Sequence, residues 1–145
     1  MPTINKSITV PYSTDQMYAL VNEVETYPEF VPACRKVDVL AKNDDEIQVR
    51  LHFVASGFQK SFTTCNRLQP GKMIEMRLID GPFRQLQGYW RFEATENGCI
   101  VNLDLEFEFA SRLLANLVGP IFSKITYSLV DAFSERAKKV YGHAG

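Results

Sequence analysis

The sequence predicts an α+β domain in which a curved antiparallel sheet of about seven strands packs against one long C-terminal helix, with short helices after the first strand. Two observations carry this prediction. Between Val37 and Phe109 apolar and polar residues alternate, with frequent turn signals. After Ser111 the apolar residues instead recur every three or four positions as far as Tyr141. Because short turns cannot supply the long crossovers of parallel strands, the sheet should be antiparallel.

Length and composition are those of one globular domain. The chain has 145 residues, of which 46% are hydrophobic and 23% are charged, so we expect a single domain over residues 1–145. Its formal net charge of −1 argues against a generally basic nucleic-acid binder, and no DNA partner is expected. No stretch reaches the roughly 18 apolar residues that span a bilayer, and no signal peptide is recognisable. We therefore expect a soluble, cytoplasmic protein with at most peripheral membrane contact.

The first part of the chain predicts a strand followed by short helices. An alternating apolar pattern ends at Pro11, which should close the first strand. Ser13 and Gln16 then form a capping-box pattern, and apolar residues follow at helical spacing. Residues 27–32 contain two prolines and three large apolar side chains, which predicts a short turn or helical turn packed against the core.

The middle of the chain predicts a meander of six strands. In the best-patterned strands one face is apolar and the other polar, as in an antiparallel sheet with one buried face. The strands are separated by turn signals at residues 43–45, 56–57, 70–71, 80–82 and 97–98.

The last part of the chain predicts one helix of about 30 residues, which begins after an N-cap at Ser111 and ends at Gly142. Gly119 and Pro120 lie near its start and should kink the helix or split off a first turn. Its broad apolar stripe is expected to face the sheet and consists of Leu114, Leu117, Val118, Ile121, Phe122, Ile125, Leu129, Val130, Phe133, Ala137 and Val140.

No catalytic or metal-binding pattern emerges from the residues. His52 lies on a polar strand face and His143 in the C-terminal tail, and neither has partners at metal-ligand spacing. Asp104, Glu106 and Glu108 alternate onto the outward face of the last strand. The three cysteines lack CxxC spacing, which suggests neither disulfides nor zinc. Without a phosphate-loop, dinucleotide or nucleophile-elbow motif, we expect no enzyme activity, no catalytic residue and no cofactor.

Two points stay open on the residues alone. Lys60 shares a predicted strand face with Phe58 and Phe62, so it lies either at the rim, where it reaches water, or at the mouth of a pocket. The inward aromatic side chains and the helix stripe fit either a filled core or a ligand cavity. Dense packing is the rule in protein interiors, but periodicity cannot decide between the two.

Three segments carry a family resemblance that covers nearly the whole chain. They are residues 10–34, which read VPYSTDQMYALVNEVETYPEFVPAC; residues 80–83, which read DGPF and are followed by Leu86, Gly88, Trp90 and Phe92; and residues 132–141, which read AFSERAKKVY. Together they resemble the coenzyme Q-binding proteins of the START-like (SRPBCC, polyketide cyclase-like) superfamily. The first and third are closest to the bacterial ribosome association toxins (RatA).

This resemblance implies a helix-grip (START-like) fold with an elongated apolar cavity between the sheet and the C-terminal helix. The cavity would bind ubiquinone or a related polyprenyl lipid without turnover, in support of quinone function in cellular respiration. Its walls are predicted at Phe53, Phe62, Trp90, Phe92, Leu103, Leu105, Phe107, Leu114, Leu117, Val118, Ile121, Ile125 and Leu129. Its mouth is predicted at Tyr27, Phe30, Lys60, Pro82 and Phe83.

The resemblance also implies two alternatives. The first is a toxin of a toxin-antitoxin pair, which binds the large ribosomal subunit, blocks subunit joining and has an antitoxin protein as a further partner. The second and weaker one is a polyketide cyclase-like enzyme, which rests on fold analogy. Ribosome contact is predicted at exposed basic residues, which also suit an ordinary solvated surface: Arg35, Lys36, Lys124, Arg136, Lys138 and Lys139.

Overall fold

The computed structural model describes residues 3–55 and 57–142, so His143 lies outside the described residues. The helices are α1 (Thr14–Asn22) and α2 (Arg112–Tyr141), with a 3-10 turn at Val24–Glu29. The strands are β1 (Thr3–Val10), β2 (Cys34–Lys42), β3 (Glu46–Ala55), β4 (Phe58–Gln69), β5 (Met73–Asp80), β6 (Phe83–Thr95) and β7 (Gly98–Phe109).

The seven strands form one antiparallel sheet in the order β1-β7-β6-β5-β4-β3-β2. Consecutive strands from β2 to β7 are neighbours, so short turns connect them. β1 adds to the far edge by pairing with β7, with Ile4 opposite Leu105. The predicted fold class, a curved antiparallel sheet with a long C-terminal helix, is confirmed.

Side-chain caps define the helix ends that the sequence predicts. In the capping box of α1, Ser13 Oγ accepts a hydrogen bond from the Gln16 backbone N–H at 3.0 Å, and Gln16 Oε1 accepts one from the Ser13 N–H at 2.9 Å. Ser111 Oγ accepts from the Leu114 N–H at 3.1 Å at the start of α2. At its end Gly142 has a φ of 76°, a backbone conformation that glycine adopts without strain.

Two residues of the stripe of α2 that was predicted to face the sheet are exposed instead. The helix runs unbroken through Pro120, so no first turn is split off. Leu117 is 44% exposed and Val140 is 50% exposed, so their predicted positions on the inward face are wrong. The apolar stripe is wider than the face that the sheet can cover, and residues one position apart are about 100° apart around a helix. The buried residues of α2 are Val118, Phe122, Thr126, Val130, Phe133, Ser134 and Ala137.

Several large apolar side chains of α2 are exposed, among them Leu113, Leu117 and Val140. The most apolar 18-residue window of α2 has a mean hydropathy of 1.3, which by length and composition alone satisfies the criterion for a bilayer-crossing helix. A core helix can meet the same criterion. In this fold the inner face of α2 packs on the sheet, with Phe122 and Phe133 buried.

Candidate functional site

An apolar cavity of about 120 Å³ lies between the inner face of the sheet and α2. The backbone of α2 runs close to β1, β7 and α1, and the space it leaves over the middle strands is filled by side chains and the cavity. The walls come from every strand except β1, from α2 and from the connection between α1 and β2. They comprise Val24, Tyr27, Val31, Pro32, Cys34, Val49, Leu51, Phe53, Phe62, Thr64, Asn66, Met76, Leu86, Trp90, Leu103, Leu105, Phe122, Ile125, Thr126, Leu129 and Phe133.

The structure brings part of the predicted wall together around this cavity. The predicted residues that line it are Phe53, Phe62, Trp90, Leu103, Leu105, Ile125 and Leu129. Four others pack in the hydrophobic core instead: Phe92, Phe107, Leu114 and Val118. Ile121 is half-buried away from the cavity and Leu117 is exposed. Strand alternation identifies which residues face inward. It does not predict where along that face the side chains leave a gap.

A cluster of aromatic rings fills the space beneath the N-terminal half of α2. Phe122 lies at its centre, with ring centroids 4.9 Å from Phe107 and 5.1 Å from Phe83. Phe83 also stacks on Phe109 at 4.8 Å. Phe83 is therefore buried in the core, and neither it nor Pro82 lines the cavity, so the mouth predicted at these two residues is wrong.

The remaining predicted mouth residues, Tyr27 and Phe30, belong to residues 24–34, which cover one side of the cavity. We call residues 24–34 the cover segment. Tyr27 and Phe30 pack edge-to-face on Phe133, with centroid distances of 5.4 Å and 5.1 Å, and the Tyr27 hydroxyl donates to the Val21 carbonyl. Tyr27 lines the cavity, whereas Phe30 packs against Phe133 and does not line the cavity.

Arg136 ties the cover segment to α2. Its guanidinium lies 4.9 Å from the centre of the Phe30 ring and 3.2 Å from Glu29 Oε1. The Arg136 side chain is only 13% exposed, so its predicted place among the exposed basic residues is wrong. The aliphatic part of an arginine side chain can pack against an aromatic ring and so become buried. The pattern of charges in a sequence does not reveal such a contact.

The wall reaches the surface between the cover segment, β3 and the middle of α2. Pro32 is exposed there, and Leu51, Ile125 and Leu129 are half-buried. Lys60 lies elsewhere, in a surface groove with Arg35 and His52, so its predicted place at the cavity mouth is wrong. Lys60 reaches the surface, in agreement with the alternative prediction that it lies at the rim of the sheet in contact with water.

Three polar residues in the wall, Thr64, Asn66 and Thr126, were missed by the sequence analysis. Thr64 and Asn66 lie on the inner face of β4 between Phe62 and Leu68, and both are buried. Their hydroxyl and amide groups are 2.9 Å apart, from Thr64 Oγ1 to Asn66 Oδ1. The signal that could have revealed Thr64 and Asn66 is a break in the apolar alternation along β4. Both polar residues occupy positions that the alternation assigns to the inward face.

The ionisable groups of the cavity are held in their neutral forms. Burial raises the pKa of the Cys34 thiol to about 11, which leaves it protonated at neutral pH. Burial also raises the pKa of Tyr27, with the nearby Cys34 adding to the effect. Among the described residues no group of His, Cys, Asp and Glu could hold a metal ion. His52 pairs with Asp38 at 2.8 Å on the outer face of the sheet.

The other five basic residues predicted for ribosome contact lie in three separate places on the surface. Arg35 and Lys36 are exposed at the start of β2, where Lys36 Nζ is 3.6 Å from Asp38 Oδ1. Lys138 and Lys139 are exposed near the end of α2, and Lys138 pairs with Glu135 at 2.9 Å. Lys124 is exposed in the middle of α2.

Comparison with known sequences agrees with the family resemblance of the three sequence segments. Residues 10–134 match the family described as "Polyketide cyclase / dehydrase and lipid transport". The "Ribosome association toxin RatA" of Vibrio cholerae is 43% identical over 143 residues, which cover 98% of this chain and 99% of that protein. The mitochondrial "Coenzyme Q-binding protein COQ10" of Drosophila melanogaster is 26% identical and covers 94% of this chain and 59% of that protein.

Solved structures share the fold at low sequence identity. A START superfamily protein from Mycobacterium smegmatis has a TM-score of 0.80 at 18% identity and covers 95% of this chain and 98% of its own. The Zhui aromatase/cyclase from Streptomyces sp. R1128 has a TM-score of 0.78 at 18% identity and covers 99% of both chains. The fold is thus common to proteins with different activities.

Proposed function

The chain belongs to the polyketide cyclase / dehydrase and lipid transport family, and on this basis we propose that it binds a hydrophobic ligand beneath α2 and releases it unchanged. Ubiquinone or another polyprenyl lipid is the ligand class we favour, because the Drosophila relative is named for coenzyme Q binding. We also propose a cytoplasmic location, which the bacterial relatives support.

The observation that carries this proposal is the void itself. Natural cores pack at crystal-like density, and an apolar gap lowers stability by about 24 cal/mol per Å³. For a volume of about 120 Å³ the loss is at most about 3 kcal/mol, because the cavity opens to the surface beside Pro32. A small domain has a total stability of only about 5–15 kcal/mol, so an unfilled gap of this size is better explained by a ligand than by poor packing.

The size of the cavity limits what it holds as it stands. Sites for drug-sized ligands measure roughly 300–1,000 Å³, whereas an apolar cavity of about 150 Å³ binds benzene. A volume of about 120 Å³ therefore suits a ring or a single isoprene unit. A longer lipid tail has to leave along the opening beside Pro32 and Leu51 or displace neighbouring side chains.

The proposal includes no chemical turnover. The residues that line the cavity are apolar apart from the Tyr27 hydroxyl, the Cys34 thiol and the side chains of Thr64, Asn66 and Thr126. Because the pKa values of Tyr27 and Cys34 are raised, neither is a ready general base or nucleophile at neutral pH. The arrangement can hold and release a ligand without acid-base chemistry.

Ligand binding can be measured through the single tryptophan, Trp90, because it lines the cavity. We expect short-chain ubiquinone analogues to change the Trp90 fluorescence saturably and to raise the melting temperature. At a ligand concentration of 100 times Kd the stabilisation should be about 2.7 kcal/mol. N-acetyltryptophanamide under the same titration controls for light absorption by the quinone. An unchanged melting temperature, with no lipid extracted from purified protein, would contradict the proposal.

Ribosome association is a second candidate function, favoured by the name of the Vibrio cholerae relative, which is 43% identical over nearly the full chain. The two exposed basic pairs, Arg35 with Lys36 and Lys138 with Lys139, are the surfaces we propose for contact with the large subunit. Arg136 is excluded from this set because its side chain is largely buried against Glu29 and Phe30.

Co-sedimentation with ribosomal subunits at several salt concentrations tests this second function. If lysine and arginine meet RNA phosphates, binding should weaken steeply as salt rises. Reversing the charge of one pair, Arg35→Glu with Lys36→Glu or Lys138→Glu with Lys139→Glu, should reduce the salt slope by about one per lost phosphate contact. The pair that is not in contact serves as the matched control. If both double variants bind at low salt as strongly as the wild type does, both surfaces are excluded.

A further inference from the structure

The inner face of β4 carries a polar spot in an otherwise apolar surface. Thr64 is 3% exposed and Asn66 is 9% exposed. The residues opposite Asn66 on the neighbouring strands are Ile47 and Met76, so both of its cross-strand neighbours are apolar. A buried amide in such surroundings is unfavourable unless its hydrogen bonds are made, so this residue calls for a physical explanation.

The hydrogen bonds of this pair are incomplete. Thr64 Oγ1 donates to Asn66 Oδ1 at 2.9 Å, which uses the hydroxyl proton. Among residues 3–55 and 57–142 no acceptor is found for Asn66 Nδ2, and this atom is not among the fully enclosed side-chain atoms without a partner, so it is reached from the cavity or from solvent. Since Asn66 lines the cavity, the amide N–H groups are available to whatever occupies it.

The other hydroxyl groups of the wall already donate hydrogen bonds within the protein and are not free to bind a polar ligand group. Thr126 Oγ1 is 3.0 Å from the Phe122 carbonyl and 3.1 Å from the Ser123 carbonyl, so its proton stays within α2. The Tyr27 hydroxyl donates to the Val21 carbonyl. The Asn66 amide is thus the strongest unused hydrogen-bond donor of the cavity.

We infer that Asn66 is the polar anchor of the cavity and selects ligands whose apolar body carries an oxygen that accepts a hydrogen bond, such as the carbonyl of a quinone, over hydrocarbons without one. This inference rests on the proposed ligand binding and adds specificity to it. A site built around a hydrogen bond discriminates against ligands that leave its buried polar group unpaired.

Two small probes of matched shape test the inference, because the cavity suits a single ring. Tetramethyl-1,4-benzoquinone has two carbonyl oxygens, and 1,2,4,5-tetramethylbenzene has the same methyl-substituted ring without them. The quantity to compare is the ratio of their affinities in each protein variant. Partitioning of each probe from water is the same for all variants and cancels in this comparison.

Asn66→Leu should lower the ratio of quinone to hydrocarbon affinity by roughly fivefold, which corresponds to one net hydrogen bond. Asn102→Leu, the same substitution on β7 and outside the cavity, is the matched control and should leave the ratio unchanged. Because Asn66→Leu removes the acceptor of the Thr64 hydroxyl, the double variant Thr64→Val/Asn66→Leu is measured as well. Replacing both partners by apolar groups should keep the fold stable and give the same reduced ratio.

The outcomes separate this inference from the proposed function. If the wild type binds both probes but the ratio is the same in all variants, Asn66 selects nothing, its amide is satisfied by water, and ligand binding stands without it. If the wild type binds neither probe nor any ubiquinone analogue, the proposed function itself fails. A ratio that falls only when Asn66 is replaced supports the anchor.

Discussion

Replacing Ile125 by Trp is expected to abolish binding of hydrophobic ligands while leaving the protein at least as stable as the wild type. Ile125 lines the cavity and is half-buried where α2 passes over the middle strands. An indole at this position would occupy the gap of about 120 Å³, and filling an apolar gap recovers part of the cost of the void, which is at most about 3 kcal/mol. The free energy of unfolding from chemical denaturation, with ligand binding by calorimetry, measures both effects.

The matched control is Leu117→Trp, two helical turns earlier on α2. Leu117 is 44% exposed, so the same enlargement there should change neither stability nor ligand affinity. In a filled core, Ile125→Trp would instead force neighbouring side chains off their rotamers at a cost of about 1–3 kcal/mol. Destabilisation of that size, together with a wild type that binds no ligand, would show that the interior is solid and would leave ribosome association as the leading function.

Replacing Phe122 by Ala should lower the free energy of unfolding by about 3–5 kcal/mol, a large fraction of the stability of a small domain. The Phe122 ring lies within 6.2 Å, centroid to centroid, of the rings of Phe53, Phe62, Phe83, Phe107 and Phe109. Its removal leaves these rings without a common neighbour and merges the new gap with the existing cavity. For a chain of this size the melting temperature should fall by roughly 10–16 °C.

Tyr127→Ala on the same helix is the control for this prediction. Tyr127 is 58% exposed and its ring contacts the Lys6 ammonium at 4.3 Å, so its loss should change stability by less than about 1 kcal/mol. Both variants introduce alanine into α2, which cancels the difference in helix propensity between them. Equal effects of the two substitutions would mean that the aromatic cluster does not hold α2 to the sheet.

The candidate site was predictable from the sequence only in outline. Alternation in β3, β6 and β7 correctly identified Phe53, Trp90 and Leu103 as inward, because in a strand the face of a residue depends only on whether its position is odd or even. Their contact with a void depends on the spacing between α2 and the sheet, which pairs residues far apart in the chain. The same applies to Arg136, whose burial follows from its contact with Phe30 more than a hundred residues earlier.

Local signals therefore determined the elements, and long-range packing determined the site. The capping residues Ser13 and Ser111, the turn signals between strands and the change of period from two to about 3.6 were enough to predict one antiparallel sheet and a long terminal helix, because these features depend on neighbours a few residues away. The rotation of α2 that buries Val118 and exposes Leu117, and the gap left against Thr64 and Asn66, were decided only in the tertiary structure. An apolar stripe wider than the contact face fits the sheet at several rotations, and only the combined packing of all side chains selects one of them.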